Sequence, residues 1–186
     1  MGKAIFIDRD GVLLKEPLFD ASVGSASEVI GTWELFEILP DVGSAFAKLK
    51  DKGYYLIVIT NQDGIGDGSL SPDVYKAMNE KLFQYIRESD GASIDRIYEC
   101  PHPVNGTCDC RKPKRGLIDK ALKDFPDIDL SQSWFVGDRA SDVKLGKSIG
   151  ARTVFIKASH ALPDGILPSA SVVNLEGAVD YILKNQ

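Results

Sequence analysis

Short apolar runs alternate with longer amphipathic stretches along the whole chain. Ala4-Ile5-Phe6-Ile7 is an unbroken apolar run that stops at Asp8, the pattern of a strand buried on both faces. Pro40 opens a helix in which Val42, Phe46 and Leu49 recur at helical spacing, with Gly53 as its stop. Residues 54–59 are rich in β-formers and end at Thr60-Asn61, which predicts a second strand. Ser71-Pro72 reads as an N-cap and first-turn proline ahead of a long helix to about Arg87. The pattern then gives a strand over 94–98, a helix over 115–123, a strand over 134–136 and a helix over 141–149. A strand over 153–156, a last strand near Val172-Val173 and a closing helix over 176–183 complete the series.

Strands with uncharged interiors, separated by helices, predict an α/β fold: a doubly wound, Rossmann-like parallel sheet flanked by helices. Two segments break the alternation. Residues 14–39 are irregular and read as a flap, and residues 99–114, rich in Pro, Gly and Cys, form an aperiodic loop. With no repeat or linker, residues 1–186 are expected to form a single domain. The 186 residues, 44% hydrophobic and 26% charged, can bury a core without disulfide staples. A net charge of −5 supplies no basic face for a phosphate backbone, so nucleic acid is not expected as a partner. No apolar run approaches the roughly 20 residues of a membrane span, and the N-terminus lacks a signal-peptide core. A cytoplasmic, monomeric protein is the expectation.

In such a sheet, ligands sit beyond the carboxyl ends of the strands. The first expected strand ends in Asp8-Arg9-Asp10-Gly11, the second in Thr60-Asn61-Gln62, and a later one in Gly137-Asp138-Arg139 with Asp142 just beyond. Carboxylates this close raise one another's pKa unless a cation neutralises them. An all-oxygen donor set suits Mg²⁺, and Lys112 offers the fixed positive charge that phosphoryl transfer requires. Asp-x-Asp-Gly alone is a common turn composition; acids and a Thr-Asn pair at three separate strand ends are not explained that way.

Cys100, His102, Cys108 and Cys110 form a second constellation. Three cysteines within eleven residues of a loop have no packing reason to cluster, and a Cys₃His set is a closed tetrahedral ligand set for structural Zn²⁺.

The ordered set D-x-D-G, T-N, a lysine and G-D-x-x-x-D resembles the haloacid dehalogenase-like hydrolases over nearly the whole chain. The segments C-P-H-P and C-D-C-R-K-P look like the zinc-loop branch of these phosphatases. That branch contains D,D-heptose 1,7-bisphosphate phosphatase and the histidinol-phosphate phosphatases, and its zinc loop replaces a large cap domain over the active site. The resemblance implies a Mg²⁺-dependent phosphomonoesterase acting on a small-molecule phosphate ester through an aspartyl-phosphate. By it, Asp8 is the nucleophile and Asp10 the acid and base; Thr60 and Asn61 hold the phosphoryl group and Lys112 neutralises it. Mg²⁺ is expected on the side chains of Asp8 and Asp138 and the carbonyl of Asp10, with Asp142 supporting. Arg111, fixed by the zinc loop, either points to the substrate or is a surface charge.

The two sub-branches divide on a few loop residues. Asp63 after Gln62, the short zinc spacer and Lys15-Glu16-Pro17 lean narrowly to histidinol phosphate, with Asp63 either facing the substrate's cation or serving as a turn acid. Gly116 after Lys114-Arg115 and the free-standing length lean to the heptose bisphosphate. More distant alternatives are a nucleic-acid 3′-phosphatase and a non-catalytic zinc-bearing binding module. His160 is expected to be a solvent-exposed loop histidine, and Trp134 a packing residue; Trp33 is either packing or pocket lining.

Overall fold

The computed structural model describes residues 1–16, 30–157 and 160–186. Six strands of the described residues form one parallel sheet: β1 Lys3–Ile7, β2 Tyr54–Asn61, β3 Arg96–Cys100, β4 Trp134–Gly137, β5 Arg152–Ile156 and β6 Ala170–Val172. Among the described residues, six α-helices accompany them: α1 Val42–Asp51, α2 Asp63–Asp67, α3 Pro72–Asp90, α4 Gly116–Asp124, α5 Ala140–Ser148 and α6 Leu175–Lys184. The strand order is β3-β2-β1-β4-β5-β6. The chain therefore winds outward in opposite directions from β1, and the crevice beyond β1 and β4 is where ligands bind in such sheets.

The strand period of two divides the core. Ile5 and Ile7 of β1 point into one cluster, which α1, α3 and α6 complete with Phe46, Leu82 and Ile182. Ala4 and Phe6 point into the other, which α4 and α5 complete with Leu117, Ile118 and Leu145. Both faces of the sheet are covered, as uncharged strand interiors require. Among the described residues, no helix is long and apolar enough to cross a membrane.

The expected elements form with shifted ends. β2 extends two residues past Ile59, and β3 starts at Arg96 rather than at 94, because pairing with β2 (Ile57 with Arg96, Asn61 with Cys100) decides the register. α3 continues to Asp90, beyond the expected end near Arg87, and Ser71 supplies no side-chain cap; Pro72 alone marks its start. α2 is not visible in the sequence, since five residues containing two glycines have little helical propensity. Gly53 does end α1: its φ of +76° is the left-handed conformation that glycine adopts without a Cβ penalty. Of the flap expected over 14–39, residues 17–29 lie outside the described residues. Its flanks are tied down, with the Lys15 N–H donating to the Glu37 carbonyl and the Leu39 N–H to the Leu13 carbonyl, both at 2.8–2.9 Å. Leu14 and Ile30 are part of the core.

Candidate active site

Strand termination brings the acids together. Asp8 follows β1, Asp138 follows β4, and Asp142 lies in the first turn of α5. Ligand oxygens of all three fall within 4.8 Å of one another. Lys112 enters from the loop after β3, its Nζ 2.7 Å from Asp8 Oδ2 and 2.7 Å from Asp142 Oδ1. Asp142 also caps α5, its Oδ2 accepting the Arg139 N–H at 3.0 Å.

One ammonium thus pairs with two of three clustered, buried carboxylates. Asp138 has no solvent exposure, and neither of its oxygens has a hydrogen-bond partner among the described residues. Burial pushes the Asp8 carboxyl up to about 7 against the opposing pull of Lys112. Burial, followed by the charges of Asp8 and Asp142, pushes Asp138 up to about 8. Burial alone would lower the Lys112 pKa, but Asp142 and Asp8 outweigh it and hold the ammonium charged. Gly11 makes room for this cluster: it has a φ of +78°, and a β-carbon there would stand 2.2 Å from Asp138 Oδ2. An oxygen-only donor set with an orphaned buried carboxylate fits Mg²⁺.

Asp10 belongs to a separate polar network. Arg9, fully buried, reaches both its oxygens, with Nε at 2.8 Å from Oδ1 and Nη2 at 3.3 Å from Oδ2. Gln62 Nε2 donates to Asp10 Oδ2 at 2.7 Å and to Thr60 Oγ1 at 2.9 Å. The Arg9 guanidinium also donates to Asn79 and Gln62 and lies 4.8 Å from the Tyr75 ring centroid. Such a buried, multiply bonded guanidinium fixes its carboxylate in place.

These groups open into a cavity of about 480 Å³, within the usual range for small-molecule sites. Asp8, Asp10, Thr60, Asn61, Asp63, Arg111 and Lys112 all line it. The Asn61 side chain faces the Lys112 backbone, and Arg111 Nη1 lies 3.3 Å from Asp63 Oδ1. Asp63 stands in the first turn of α2, paired with Arg111.

The zinc-ligand candidates also converge. Cys100 Sγ lies 3.6 Å from Cys108 Sγ and 3.0 Å from Cys110 Sγ, and His102 Nδ1 lies 3.2 Å from Cys110 Sγ. Ligands on a tetrahedral zinc with Zn–S bonds of about 2.3 Å are separated by roughly 3.5–3.8 Å, so the set fits with small adjustments. Burial, with hydrogen bonding to Cys110, drives the Cys100 thiol up to about 12. For Cys108, backbone N–H groups of Arg111 and Cys110 outweigh desolvation and lower the thiol to about 7. Cys100 is the last residue of β3, its carbonyl accepting the Gln62 N–H at 2.8 Å, so the loop is anchored beside the end of β2.

Several site residues escape a reading of the sequence. Arg9 and Gln62 sit inside the strand-end motifs, but adjacency in sequence does not reveal which way a side chain points. Glu16 and Arg139 line the same cavity and are ion-paired with each other. His160 is not the free, exposed loop histidine expected: its Nε2 lies 3.0 Å from Glu16 Oε2. Trp134 is buried. Trp33 is half-exposed, packs edge-on against Phe36 and borders a shallow groove along α3, away from the acids.

The HAD-hydrolase-like family model matches residues 109–169. The D-glycero-beta-D-manno-heptose-1,7-bisphosphate 7-phosphatase of Haemophilus influenzae is 39% identical over 98% of this chain and 92% of its own length. The same enzyme of Pasteurella multocida is 34% identical over 97% and 95%. The histidine biosynthesis bifunctional protein HisB of Campylobacter jejuni is 35% identical over 81% of this chain but 40% of its own. The crystal structure of D,D-heptose 1,7-bisphosphate phosphatase from B. bronchiseptica, complexed with magnesium and phosphate, superposes with a TM-score of 0.82 over 99% of both chains, at 23% identity. The chain belongs to the haloacid dehalogenase-like phosphatases, in the branch that contains these heptose bisphosphate phosphatases and the HisB phosphatase domains.

Proposed function

We propose that the chain hydrolyses the 7-phosphate of D-glycero-D-manno-heptose 1,7-bisphosphate. The observation that carries this reading is the end-to-end likeness to heptose bisphosphate 7-phosphatases, at 98% and 92% coverage, against a partial match to HisB. The narrow sequence preference for histidinol phosphate gives way to it. That preference relied in part on Asp63 meeting a cationic substrate, and Asp63 is ion-paired with Arg111 at 3.3 Å.

In this reading Asp8 Oδ attacks phosphorus, and the bond from phosphorus to the leaving oxygen breaks. Asp10 gives that oxygen its proton. The Asp10 carboxylate then takes a proton from water as the water attacks the aspartyl-phosphate, releasing phosphate and restoring Asp8. Two like charges must meet in the first step, so the site has to cancel charge rather than supply unusual chemistry. Lys112, held charged by Asp8 and Asp142, stands ready for the phosphoryl oxygens. Arg9 and Gln62 hold Asp10 at the cavity wall. Thr60 and Asn61 border the phosphoryl position, and Asp142 holds Lys112 from behind.

The side chains of Asp8 and Asp138 and the carbonyl of Asp10 would hold Mg²⁺, a reading supported by the unpartnered oxygens of Asp138. When bound, it supplies positive charge against the phosphate and the clustered acids. Cys100, His102, Cys108 and Cys110 would hold a structural Zn²⁺, bracing the loop that carries Arg111 and Lys112.

Phosphate release in Mg²⁺, with the heptose bisphosphate and histidinol phosphate compared side by side, tests the proposal. A hundredfold preference in kcat/KM for the heptose, about 2.7 kcal/mol, supports it. A comparable preference for histidinol phosphate overturns it.

A further inference from the structure

We propose that His160 is a positioning residue of this site: it fixes the buried carboxylate of Glu16 against the cavity wall, and through it the way substrate is held. Glu16 follows the turn after β1, Arg139 follows β4, and His160 lies four residues beyond the end of β5. Segments from the two ends of the chain thus meet at one carboxylate. The Glu16 side chain is only 6% exposed, and both of its oxygens are engaged, Oε1 by Arg139 Nη2 and Oε2 by His160 Nε2 at 3.0 Å.

The surroundings explain why one partner is not enough. A ligand oxygen of Glu16 lies within 4.8 Å of Asp138 and of the His160 ring nitrogen, and the charge of Glu16 helps raise the Asp138 pKa. Glu16 is therefore a fourth buried acid beside Asp8, Asp138 and Asp142. A buried carboxylate oxygen without a donor is costly, and here it would also face Asp138. Arg139 satisfies one oxygen; His160 satisfies the other. An ionised carboxylate is purely an acceptor, so Nε2 must carry the imidazole proton. Without His160, Oε2 gains most by rotating toward water in the cavity, which Glu16 and Arg139 both line. The wall then changes shape while the contacts of Lys112 with Asp8 and Asp142, which involve neither Glu16 nor His160, remain.

The kinetic part of this inference rests on the proposed substrate; the geometric part does not. Replacing His160 by alanine is expected to raise KM for the heptose bisphosphate by roughly five- to tenfold with kcat within about twofold. The small ester p-nitrophenyl phosphate should be affected less than about twofold. His160→Gln, whose amide nitrogen can donate to Glu16, should restore most of the KM, and the double variant His160→Ala, Glu16→Gln should be no worse than Glu16→Gln alone. An unchanged KM in His160→Ala, a kcat loss as large as the KM rise, or failure of His160→Gln to rescue would each overturn the proposal.

Nitrogen-15 NMR of the imidazoles, run without substrate, separates the two readings. The chain has two histidines, so the His160→Ala variant identifies its resonances at once. The wild type should show His160 protonated on Nε2, and Glu16→Gln should shift that signal. A His160 spectrum indifferent to Glu16→Gln overturns the pairing even if the heptose is turned over; a clear shift with no heptose turnover upholds the pairing and removes only the substrate.

Discussion

The side-chain amide of Asn61 grips the backbone of Lys112: Oδ1 accepts the Lys112 N–H at 2.9 Å, and Nδ2 donates to the Lys112 carbonyl at 3.4 Å. The end of β2 thus sets the position of a lysine 51 residues away. Asn61→Ala removes both anchors while leaving the ammonium. Its kcat is expected to fall by about ten- to a hundredfold, with zinc content unchanged by metal analysis. An unaltered kcat would mean that the zinc loop alone places Lys112.

Asp8→Asn should reduce phosphate release by at least about a thousandfold, since an amide cannot take the role of the nucleophile. The fold should survive. Burial holds the Asp8 carboxyl at about 7, so a neutral amide relieves the cost of burying an ionised group, and Tm in the absence of Mg²⁺ should be equal or higher. Appreciable residual turnover would exclude Asp8 as the nucleophile.

The cluster of buried aspartates predicts a pH dependence with a definite sign. Unfolded aspartates titrate near 3.8, whereas Asp8 and Asp138 in the fold titrate near about 7 and about 8. The folded state binds more protons, so these groups contribute their full stability below about pH 4, and it is lost as pH rises through 7 to 8. Zinc-loaded, Mg²⁺-free protein should therefore lose Tm between about pH 5 and 8. Added Mg²⁺, which binds the ionised acids, should restore more Tm at about pH 8 than at about pH 6. A Tm that rises over this range without Mg²⁺ would contradict the assignment.

Gly11→Ala puts a β-carbon 2.2 Å from Asp138 Oδ2 at a φ of +78°. The backbone conformation alone costs about 1–2 kcal/mol, and the clash must displace Asp138. Tm should drop by roughly 3–8 °C, and the Mg²⁺ concentration needed for half-maximal activity should rise. A normal Mg²⁺ requirement would show that Asp138 is not part of the metal site.

Removing one of the proposed zinc ligands tests the coupling between loop and lysine. Cys110 precedes Arg111 and Lys112 directly, so Cys108→Ser should lose zinc and, with it, about tenfold or more of kcat/KM. Metal analysis and kinetics on the same preparation check both. Zinc loss with full activity would leave the loop a purely local staple.

The winding of the sheet and the two clusters of possible metal ligands are legible in the sequence because each depends on local order. Apolar runs that end in acids specify buried strands with carboxylates at their carboxyl ends, and three thiols with an imidazole inside eleven residues meet wherever that loop goes. Element ends are less legible: β3 begins two residues late because its register is set by β2, not by its own residues. Direction of side chains is not legible at all. Arg9, between two acids, could have faced solvent, and only the fold buries it against Asp10, Gln62, Asn79 and Tyr75. Asp63 looks available to a substrate until α2 and the cysteine-rich loop set Arg111 beside it, and His160 and Glu16 lie 144 residues apart in the chain. The amino-acid order determined which groups reach the carboxyl edge of the sheet. The tertiary structure decided which of them neutralise one another there, because burial makes each charge answer to its nearest partner in space.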